Sequence, residues 1–174
     1  MVNGLKIRSE RKEDYKIVEE MTRKAFYNLY IPGCVEHYLV HIMRSHEDFI
    51  HDLDFVAEMR GKVVGNIMYT KAMLVDEKGN EKQILTFGPL TVDVDHQRKG
   101  IGKKLMAHSF HKAAELGYDT IVIFGNPANY VTSGFKSCKK YNVCLEDGSY
   151  PSPMLVKELN PNALHGTNWF YSPS

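Results

Sequence analysis

The chain has 174 residues, of which 43% are hydrophobic and 25% charged, and its formal net charge is +1. This length is typical of one domain with its own core, so we expect a single domain over residues 1–174 with an aromatic tail at 166–174. The composition excludes disordered and fibrous classes. The balanced charge argues against a protein whose whole surface binds nucleic acid or a membrane.

Cysteine content and the first residues bear on the cellular compartment. Cys34, Cys138 and Cys144 form no C-x-x-C pair, which fits reduced thiols better than a zinc site or a disulfide scaffold. The N-terminal segment carries charges too early for a signal peptide, and no apolar run approaches the roughly 18 residues of a spanning helix. These features predict a cytoplasmic protein.

The predicted elements of the first half change from helical to strand periodicity near Asp54. Ser9 or Asp14 is a candidate N-cap, and Gly61 marks a hairpin. Gly88-Pro89 falls inside a strand, where we expect a bulge or kink. In chain order, we expect a strand at 4–9, helices at about 14–29 and 35–43, and strands at 55–60, 62–69 and 84–94.

The sequence of the second half predicts a longer helix that has an apolar stripe along one face and ends before Gly117. A wholly apolar run at 120–124 is typical of a buried strand. We expect, in order, a helix at about 99–116, the strand at 120–124, a short helix near 127–132, and strands around 135–140 and 154–159. This order predicts an α/β protein with a mixed sheet covered by helices.

The most informative segment is the predicted strand-to-helix turn at 92–105. Gly100 and Gly102 allow a bulky anion to approach the backbone, and the first amides of the following helix lack intrahelical partners. Four cations at this end oppose the helix dipole, a local cost that an anion would offset; they are Arg98, Lys99, Lys103 and Lys104. The alternative is a polar loop before a helix with a solvated basic face.

Two nucleotide-binding motifs fail at this turn. The dinucleotide fingerprint G-x-G-x-x-G has Leu105 at its third glycine. A Walker loop requires glycine at Gln97 and serine or threonine at Lys104. Nucleotide binding at 100–102 is therefore a weaker hypothesis.

The segment Gln97-Arg98-Lys99-Gly100-Ile101-Gly102 resembles the Q/R-x-x-G-x-G/A signature of the GNAT superfamily of acyl-CoA-dependent N-acyltransferases. The resemblance covers roughly residues 4–165, in the right order, and its other blocks lie at 55–69, 85–94, 125–135 and 154–161. The block at 125–135 looks like N-x-x-x-x-Y-x-x-x-G-F, and the last block looks like the closing strand of a bacterial branch of predicted acetyltransferases.

The resemblance implies the GNAT fold, a mixed and splayed central sheet of about six to seven strands flanked by helices. In that fold the pantetheine arm of coenzyme A lies in the splay and pairs with strand backbone. The residues expected to bind acetyl-CoA are Leu90, Thr91, Val92 and Val94 of the strand, Gln97, Arg98, Lys99, Gly100, Ile101, Gly102 and Lys103 of the turn, and Asn126 and Asn129. Both asparagines fit a turn equally well.

The implied reaction is direct transfer of an acetyl group from acetyl-CoA to a primary amine. Tyr130 matches the residue of the family that protonates the leaving thiolate, although a core tyrosine is the alternative. A backbone amide near Val92 is placed to stabilise the oxyanion. The general base stays open between Asp93, Asp95, His96, Glu58 and a water relay. The alternative function is a non-catalytic acyl-CoA-binding module in sensing or assembly.

The remaining candidates concern metals and partners. His37 and His41 have the i, i+4 spacing of metal ligands, but the segment at 46–51 misses H-E-x-x-H by one residue, so we expect no metal. The aromatic side chains around the first helical pair could line an acceptor pocket or pack in the core; they are Phe26, Tyr27, Tyr30 and Tyr38. The expected partner is a small-molecule or peptide amine, without nucleic acid or membrane. The tail at 169–171 docks on its own domain or on a second subunit, so a monomer or a homodimer fits.

Overall fold

The computed structural model describes residues 4–26 and 36–172, with side chains from residue 39 onward in the second range. The predictions for Tyr27, Tyr30, Cys34, His37 and Tyr38 lie outside the described backbone or side chains. Helices cover Tyr15–Phe26 (α1), Glu36–Met43 (α2), Ile101–Glu115 (α3) and Pro127–Tyr130 (α4). Within the described ranges, no helix is long and apolar enough to cross a membrane.

Nine strands of the described chain form one mixed sheet. They are Leu5–Ser9 (β1), Phe49–Met59 (β2), Lys62–Asp76 (β3), Glu81–Val92 (β4), Thr120–Phe124 (β5), Lys136–Ser137 (β6), Val143–Cys144 (β7), Met154–Glu158 (β8) and Trp169–Ser172 (β9). Seven of them follow the order β1-β2-β3-β4-β5-β8-β6, and β9 pairs with both β3 and β7. The seven-strand path and the flanking helices confirm the predicted fold class.

The pairing of β4 with β5 is parallel and short. Its register places Leu85 opposite Ile121, although β4 continues to Val92 and β5 to Phe124. On its other side, β5 pairs antiparallel with β8 along its whole length, from Thr120 to Phe124. The short β4–β5 register agrees with the splay that the resemblance implies.

The chain divides into two compact units. The first consists of Met1–Tyr69 and Gly88–Ser109, and the second of Thr70–Phe87 and Phe110–Ser174. The division falls within β3, β4 and α3, so each of these elements begins in one unit and ends in the other. The single domain expected over residues 1–174 stays a prediction.

Each unit has an apolar core. In the first unit, α1 and α2 pack on β2 and β3 through Val18, Met21, Val40, Phe49, Val56, Val63 and Met68. In the second unit, buried residues come from β3, β4, β5, β8 and β9, and they include Leu74, Ile84, Val122, Val156, Trp169 and Tyr171. The aromatic tail therefore docks within its own unit.

Helix α3 ends as its sequence predicts. Gly117 has a φ of +94°, a conformation that favours glycine. Its N–H donates to the carbonyl of Ala114 at 3.0 Å, and the N–H of Tyr118 donates to the carbonyl of Ala113 at 3.1 Å. These bonds satisfy two of the last carbonyls of the helix.

The bounds of the strands predicted at 84–94 and 135–140 need correction. The strand expected over 135–140 is limited to β6, because Cys138–Tyr141 forms a 3-10 turn that begins at Ser137, whose hydroxyl accepts the Lys139 N–H at 3.3 Å. The strand expected to reach residue 94 ends at Val92, and Val94–His96 is a second 3-10 turn. The peptide bond of Gly88-Pro89, where a kink was expected, is cis.

Candidate functional site

The end of β4 is fixed in the first unit by two hydrogen bonds. The Asp93 N–H donates to the carbonyl of Val64 on β3 at 2.8 Å. The Gln97 side-chain Nε2 donates to the carbonyl of Val92 at 3.2 Å. The glutamine at the start of the Q-x-x-G-x-G segment thus ties the turn back to the strand that it follows.

Helix α3 begins directly after this turn and leaves its first amides without helical acceptors. The first helical hydrogen bond runs from the Lys104 N–H to the carbonyl of Gly100 at 3.1 Å. The N–H groups of Ile101, Gly102 and Lys103 precede it and lack an i−4 partner inside the helix. Three donors at the positive end of the helix dipole are suited to an anion.

The two glycines of the turn leave space beside the backbone. Gly100 has a φ of +83°, and a Cβ added to it would meet nothing within 4 Å. A Cβ on Gly102 would lie 3.8 Å from side-chain carbons of Leu90 and Val92, an ordinary contact distance. Packing of the chain does not require glycine at position 102, which agrees with the expected approach of a ligand.

The turn is rich in uncompensated positive charge. Arg98, Lys99, Lys103 and Lys104 are all exposed. In the part of the chain that the structure describes, no salt bridge involves any of these four side chains. The local charge that the sequence predicts is therefore available to a polyanion.

The remaining residues expected to bind acetyl-CoA in the first unit lie on both sides of this turn. Thr91 is 1% exposed, and its hydroxyl lies 3.4 Å from that of Thr22 on α1. Ile101 is also buried, which makes its side chain part of the core and leaves only its backbone for a ligand. Leu90 and Val92 are half-buried, and Val94 is exposed.

Tyr130 lies in an aromatic cluster of the second unit. Its ring centroid is 6.1 Å from that of Phe87 on β4 and 5.9 Å from that of Phe135. Gly125 makes room for it, since a Cβ there would lie 2.7 Å from Cε2 of Tyr130. Gly134, with a φ of +92°, turns the chain so that Phe135 is buried. The residues around Tyr130 in its sequence block thus hold its ring against β4.

The two asparagines of this block have different surroundings. Asn126 is the N-cap of α4, and its Oδ1 accepts the Ala128 N–H at 3.1 Å. Asn129 is exposed, and its backbone N–H donates to the carbonyl of Asn126 at 3.0 Å. The turn-forming role is therefore present for Asn126, and binding of acetyl-CoA by either residue stays a prediction.

The candidate general bases differ in their hydrogen-bond and ion-pair partners. Glu58 accepts a hydrogen bond from Nε of Arg8 at 3.1 Å, within an ion pair. Asp93 and His96 form a pair of their own, with 2.7 Å between Oδ2 and Nδ1. Asp95 is exposed. Of these carboxylates, Asp93 is the one beside an imidazole.

Two residues of the site escaped the sequence reasoning. Phe87 and Gly125 lie within blocks of the resemblance, but no local pattern predicts that either packs against Tyr130. The structure also bears on the metal candidates. Among the described residues, no three His, Cys, Asp or Glu side chains form a group that could hold a metal ion. His41, from the predicted pair, lies 3.3 Å from Glu19.

The splayed mixed sheet, the glycine turn and the open start of α3 define an acetyltransferase of the GNAT class. The profile of the Acetyltransferase (GNAT) family matches residues 23–134. The chain belongs to this family.

Relatives support the same assignment over nearly the whole chain. The uncharacterized N-acetyltransferase YhbS of Escherichia coli K12 is 28% identical over 161 residues, which cover 92% of this chain and 90% of YhbS. The crystal structure of YhbS from Escherichia coli in complex with CoA has a TM-score of 0.83 and 25% identity, and the match covers 100% of this chain and 92% of that one.

A second solved structure has the same fold. It is a GNAT family acetyltransferase from Brucella melitensis in complex with acetyl-CoA, with a TM-score of 0.74 and 23% identity. The match covers 98% of this chain and 96% of that one.

Proposed function

We propose that this protein transfers an acetyl group from acetyl-CoA to a primary amine of a small molecule or peptide. The observation that carries the proposal is the start of α3, where three amides without helical acceptors meet four exposed cations. This arrangement suits the pyrophosphate of coenzyme A, and the CoA complex of YhbS supports the choice. The same protein is expected in the cytoplasm, as a monomer or homodimer, without nucleic acid or membrane partners.

The residues support a direct-attack mechanism. The neutral amine attacks the thioester carbonyl, and a backbone amide of β4 near Val92 stabilises the oxyanion. The C–S bond breaks, and Tyr130 gives its proton to the leaving thiolate. A free alkyl ammonium has a pKa near 10, so its proton must go to a base; the candidates are the Asp93–His96 pair, Asp95, Glu58 and a water relay.

A thiol-release assay tests the reaction. The protein is incubated with acetyl-CoA and a panel of primary amines and amine-bearing peptides, and free coenzyme A thiol is measured. We expect amine-dependent release well above hydrolysis. If acetyl-CoA raises the melting temperature but no amine increases thiol release, the non-catalytic acyl-CoA-binding module is the better description.

A single substitution tests the role of Tyr130. Tyr130→Phe removes the proton donor but keeps the ring, so we expect kcat to fall by about 10²-fold, the low end for a general acid. The KM for acetyl-CoA should change little. The matched control is Tyr150→Phe, on an exposed tyrosine outside the aromatic cluster. If the wild type and Tyr130→Phe have equal kcat, Tyr130 is not the proton donor and serves only in packing.

A further inference from the structure

The short pairing of β4 with β5 defines one end of the gap between these strands. In the second unit, Leu85 lies opposite Ile121. Thr86 and Phe87 are therefore the first residues of β4 beyond the paired position. Because successive side chains of a strand point to opposite faces, Thr86 and Phe87 flank this end of the gap from opposite faces of the sheet.

Two tyrosines reach these two residues. Tyr130 lies against Phe87, with 6.1 Å between ring centroids. The Thr86 side chain lies near enough to the Tyr171 phenol to oppose the rise in its pKa. The Tyr171 ring centroid is 5.5 Å from that of Phe124, at the end of β5. Tyr130 was found through its sequence block, whereas nothing near Tyr171 in the sequence points to β4 or β5.

Strand β9 holds Tyr171 in place. It pairs antiparallel with β3, so that Tyr171 lies opposite Leu74. Two residues earlier, the Trp169 indole Nε1–H donates to the carbonyl of Leu164 at 3.1 Å. Tyr171 is 6% exposed, whereas Phe124 is 51% exposed. The phenol ring is thus a fixed support, and the Phe124 ring in contact with it offers an open apolar surface.

The chemistry of the transfer places the acceptor near these residues. The attacking nitrogen must approach the thioester carbonyl carbon to about 3–3.5 Å, and that carbon is bonded to the sulfur that Tyr130 protonates. The acceptor nitrogen therefore lies within a few ångströms of the group that Tyr130 serves. Thr86 is adjacent to the residue against which Tyr130 packs, and its hydroxyl is a polar group on the other face of the strand.

We propose that Thr86, Phe124 and Tyr171 form the acceptor-binding end of the gap between β4 and β5. The Thr86 hydroxyl hydrogen-bonds the incoming amine, and the exposed ring of Phe124 contacts the apolar part of the acceptor. Tyr171 is a positioning residue that orients both. The acceptor class is a primary amine carried on an aromatic or bulky apolar group. This inference rests on the proposed acetyl transfer.

The state of Tyr171 agrees with a positioning role. Burial raises the pKa of its phenol above the ordinary value near 10, so the hydroxyl stays neutral over the working range of an enzyme. The amine proton accordingly goes to the base described above and not to Tyr171. The bond that forms is the amide C–N bond and the bond that breaks is C–S, as in the proposed function.

The experiment compares 2-phenylethylamine with ethanolamine as acceptors in the thiol-release assay with acetyl-CoA. We expect a lower KM for 2-phenylethylamine in the wild type. Thr86→Val and Tyr171→Phe should raise this KM about tenfold and leave the KM for acetyl-CoA within twofold. Thr86→Ser, which keeps the hydroxyl, should have a KM for 2-phenylethylamine close to that of the wild type.

Phe124→Ala tests the apolar contact and should raise the KM for 2-phenylethylamine more than that for ethanolamine. Phe170→Leu, on the same strand as Tyr171, is the control and should change neither KM.

The outcomes separate this inference from the proposed function. Absence of thiol release with every amine in the wild type contradicts acetyl transfer itself, and the acceptor site with it. Turnover by the wild type together with an unchanged amine KM in Thr86→Val and Tyr171→Phe overturns only the acceptor site. A preference for ethanolamine overturns the acceptor class. Equal rises of both KM values, or a rise with Thr86→Ser as large as with Thr86→Val, show a structural role instead.

Discussion

Glycines 65 and 102 both lie in the first unit, but the space around them differs. A Cβ on Gly65 would lie 3.0 Å from a side-chain carbon of Leu105, 3.1 Å from one of Ile101 and 3.3 Å from the carbonyl oxygen of Thr91. At Gly65, α3 therefore packs closely against β3. Gly102 has no such neighbour within 3.4 Å.

Alanine should therefore lower the stability of the fold at position 65 but not at position 102. Gly65→Ala overpacks the helix against the strand and should lower the free energy of unfolding by about 1–3 kcal/mol. Gly102→Ala adds a better helix former and should leave that free energy unchanged or raise it by up to about 1 kcal/mol. Urea denaturation of both variants measures the difference. Equal losses would mean that position 102 is also packed against the chain.

A second feature at the residue scale is a pair of buried carboxyl groups, those of Glu10 and Asp54. The Glu10 side chain is fully buried and accepts two hydrogen bonds from Arg44, at 2.9 and 2.8 Å. Asp54 is 5% exposed and accepts one from Nδ2 of Asn66 at 3.1 Å. Burial, reinforced by a hydrogen bond with Glu10, raises the pKa of Asp54 to about 9. Arg44 pairs with Glu10, and the raised pKa of Asp54 leaves the Asp54 carboxyl protonated at neutral pH.

This pair predicts a pH dependence of stability. The pKa of Asp54 is near 3.9 in the unfolded chain and higher in the folded one, so the folded state binds more protons between about pH 4 and 9. The contribution of Asp54 is then fully present below pH 4 and is lost as the pH rises toward 9. Asp54→Asn cannot ionise, so its free energy of unfolding should rise relative to wild type from pH 5 to 9.

Denaturation curves at several pH values provide the measurement. The control is Asp52→Asn, on an exposed residue of the same strand, whose curve should run parallel to that of the wild type. If the difference between Asp54→Asn and wild type is constant over this range, Asp54 is ionised in the folded protein.

At the scale of elements, β9 contributes two buried aromatic side chains, Trp169 and Tyr171, to the core of the second unit. Trp169 is 8% exposed and packs in the core of the second unit. Trp169→Ala should lower the free energy of unfolding by about 3–5 kcal/mol, and Phe170→Leu by less than about 1.5 kcal/mol. Thermal or urea denaturation tests the pair. A small loss with Trp169→Ala would show that β9 adds little to the fold.

The elements also show what the sequence can predict. Strand β5 matches its predicted bounds because a run of five mostly apolar and β-branched residues is too short for a buried helix, and α3 ends close to its glycine. The prediction of a strand at 135–140 was wrong because a side-chain hydrogen bond at Ser137 starts a 3-10 turn there. This local hydrogen bond outweighs the strand propensity of the segment. Strand β9 was not expected because its partner residues on β3 lie far away in the sequence, as in the pair of Met73 with Ser172.

The same contrast holds for the candidate site. The helix-opening turn could be predicted, because its glycines and cations are contiguous in the sequence. The packing of Phe87 and Gly125 around Tyr130 could not, and neither could the need for glycine at position 65. Those requirements come from side chains on other elements, and they become visible only when the chain is folded.

At the scale of the whole molecule, a near-neutral chain carries a concentrated positive site. The formal net charge is +1, yet Arg98, Lys99, Lys103 and Lys104 are exposed at the start of one helix. Exposed charges of this kind act over about 10 Å at moderate salt and less at high salt. Binding of a polyanion should therefore depend strongly on ionic strength, although the average charge gives no hint of it.

Ligand-induced stabilisation tests this arrangement on the intact chain. Acetyl-CoA at about 100 times its Kd should stabilise the fold by about 2.7 kcal/mol, a rise in melting temperature of about 5–10 °C for a chain of this size. Raising the salt concentration at fixed acetyl-CoA should reduce the rise, because screening weakens the contacts with the pyrophosphate. Lys103→Glu should reduce the rise in melting temperature at low salt, whereas Lys112→Glu, near the other end of α3, should not.

NAD and ATP should stabilise the fold less than acetyl-CoA does, because the turn lacks the residues that their motifs require. A larger rise with either nucleotide would favour nucleotide binding at the turn over acetyl-CoA.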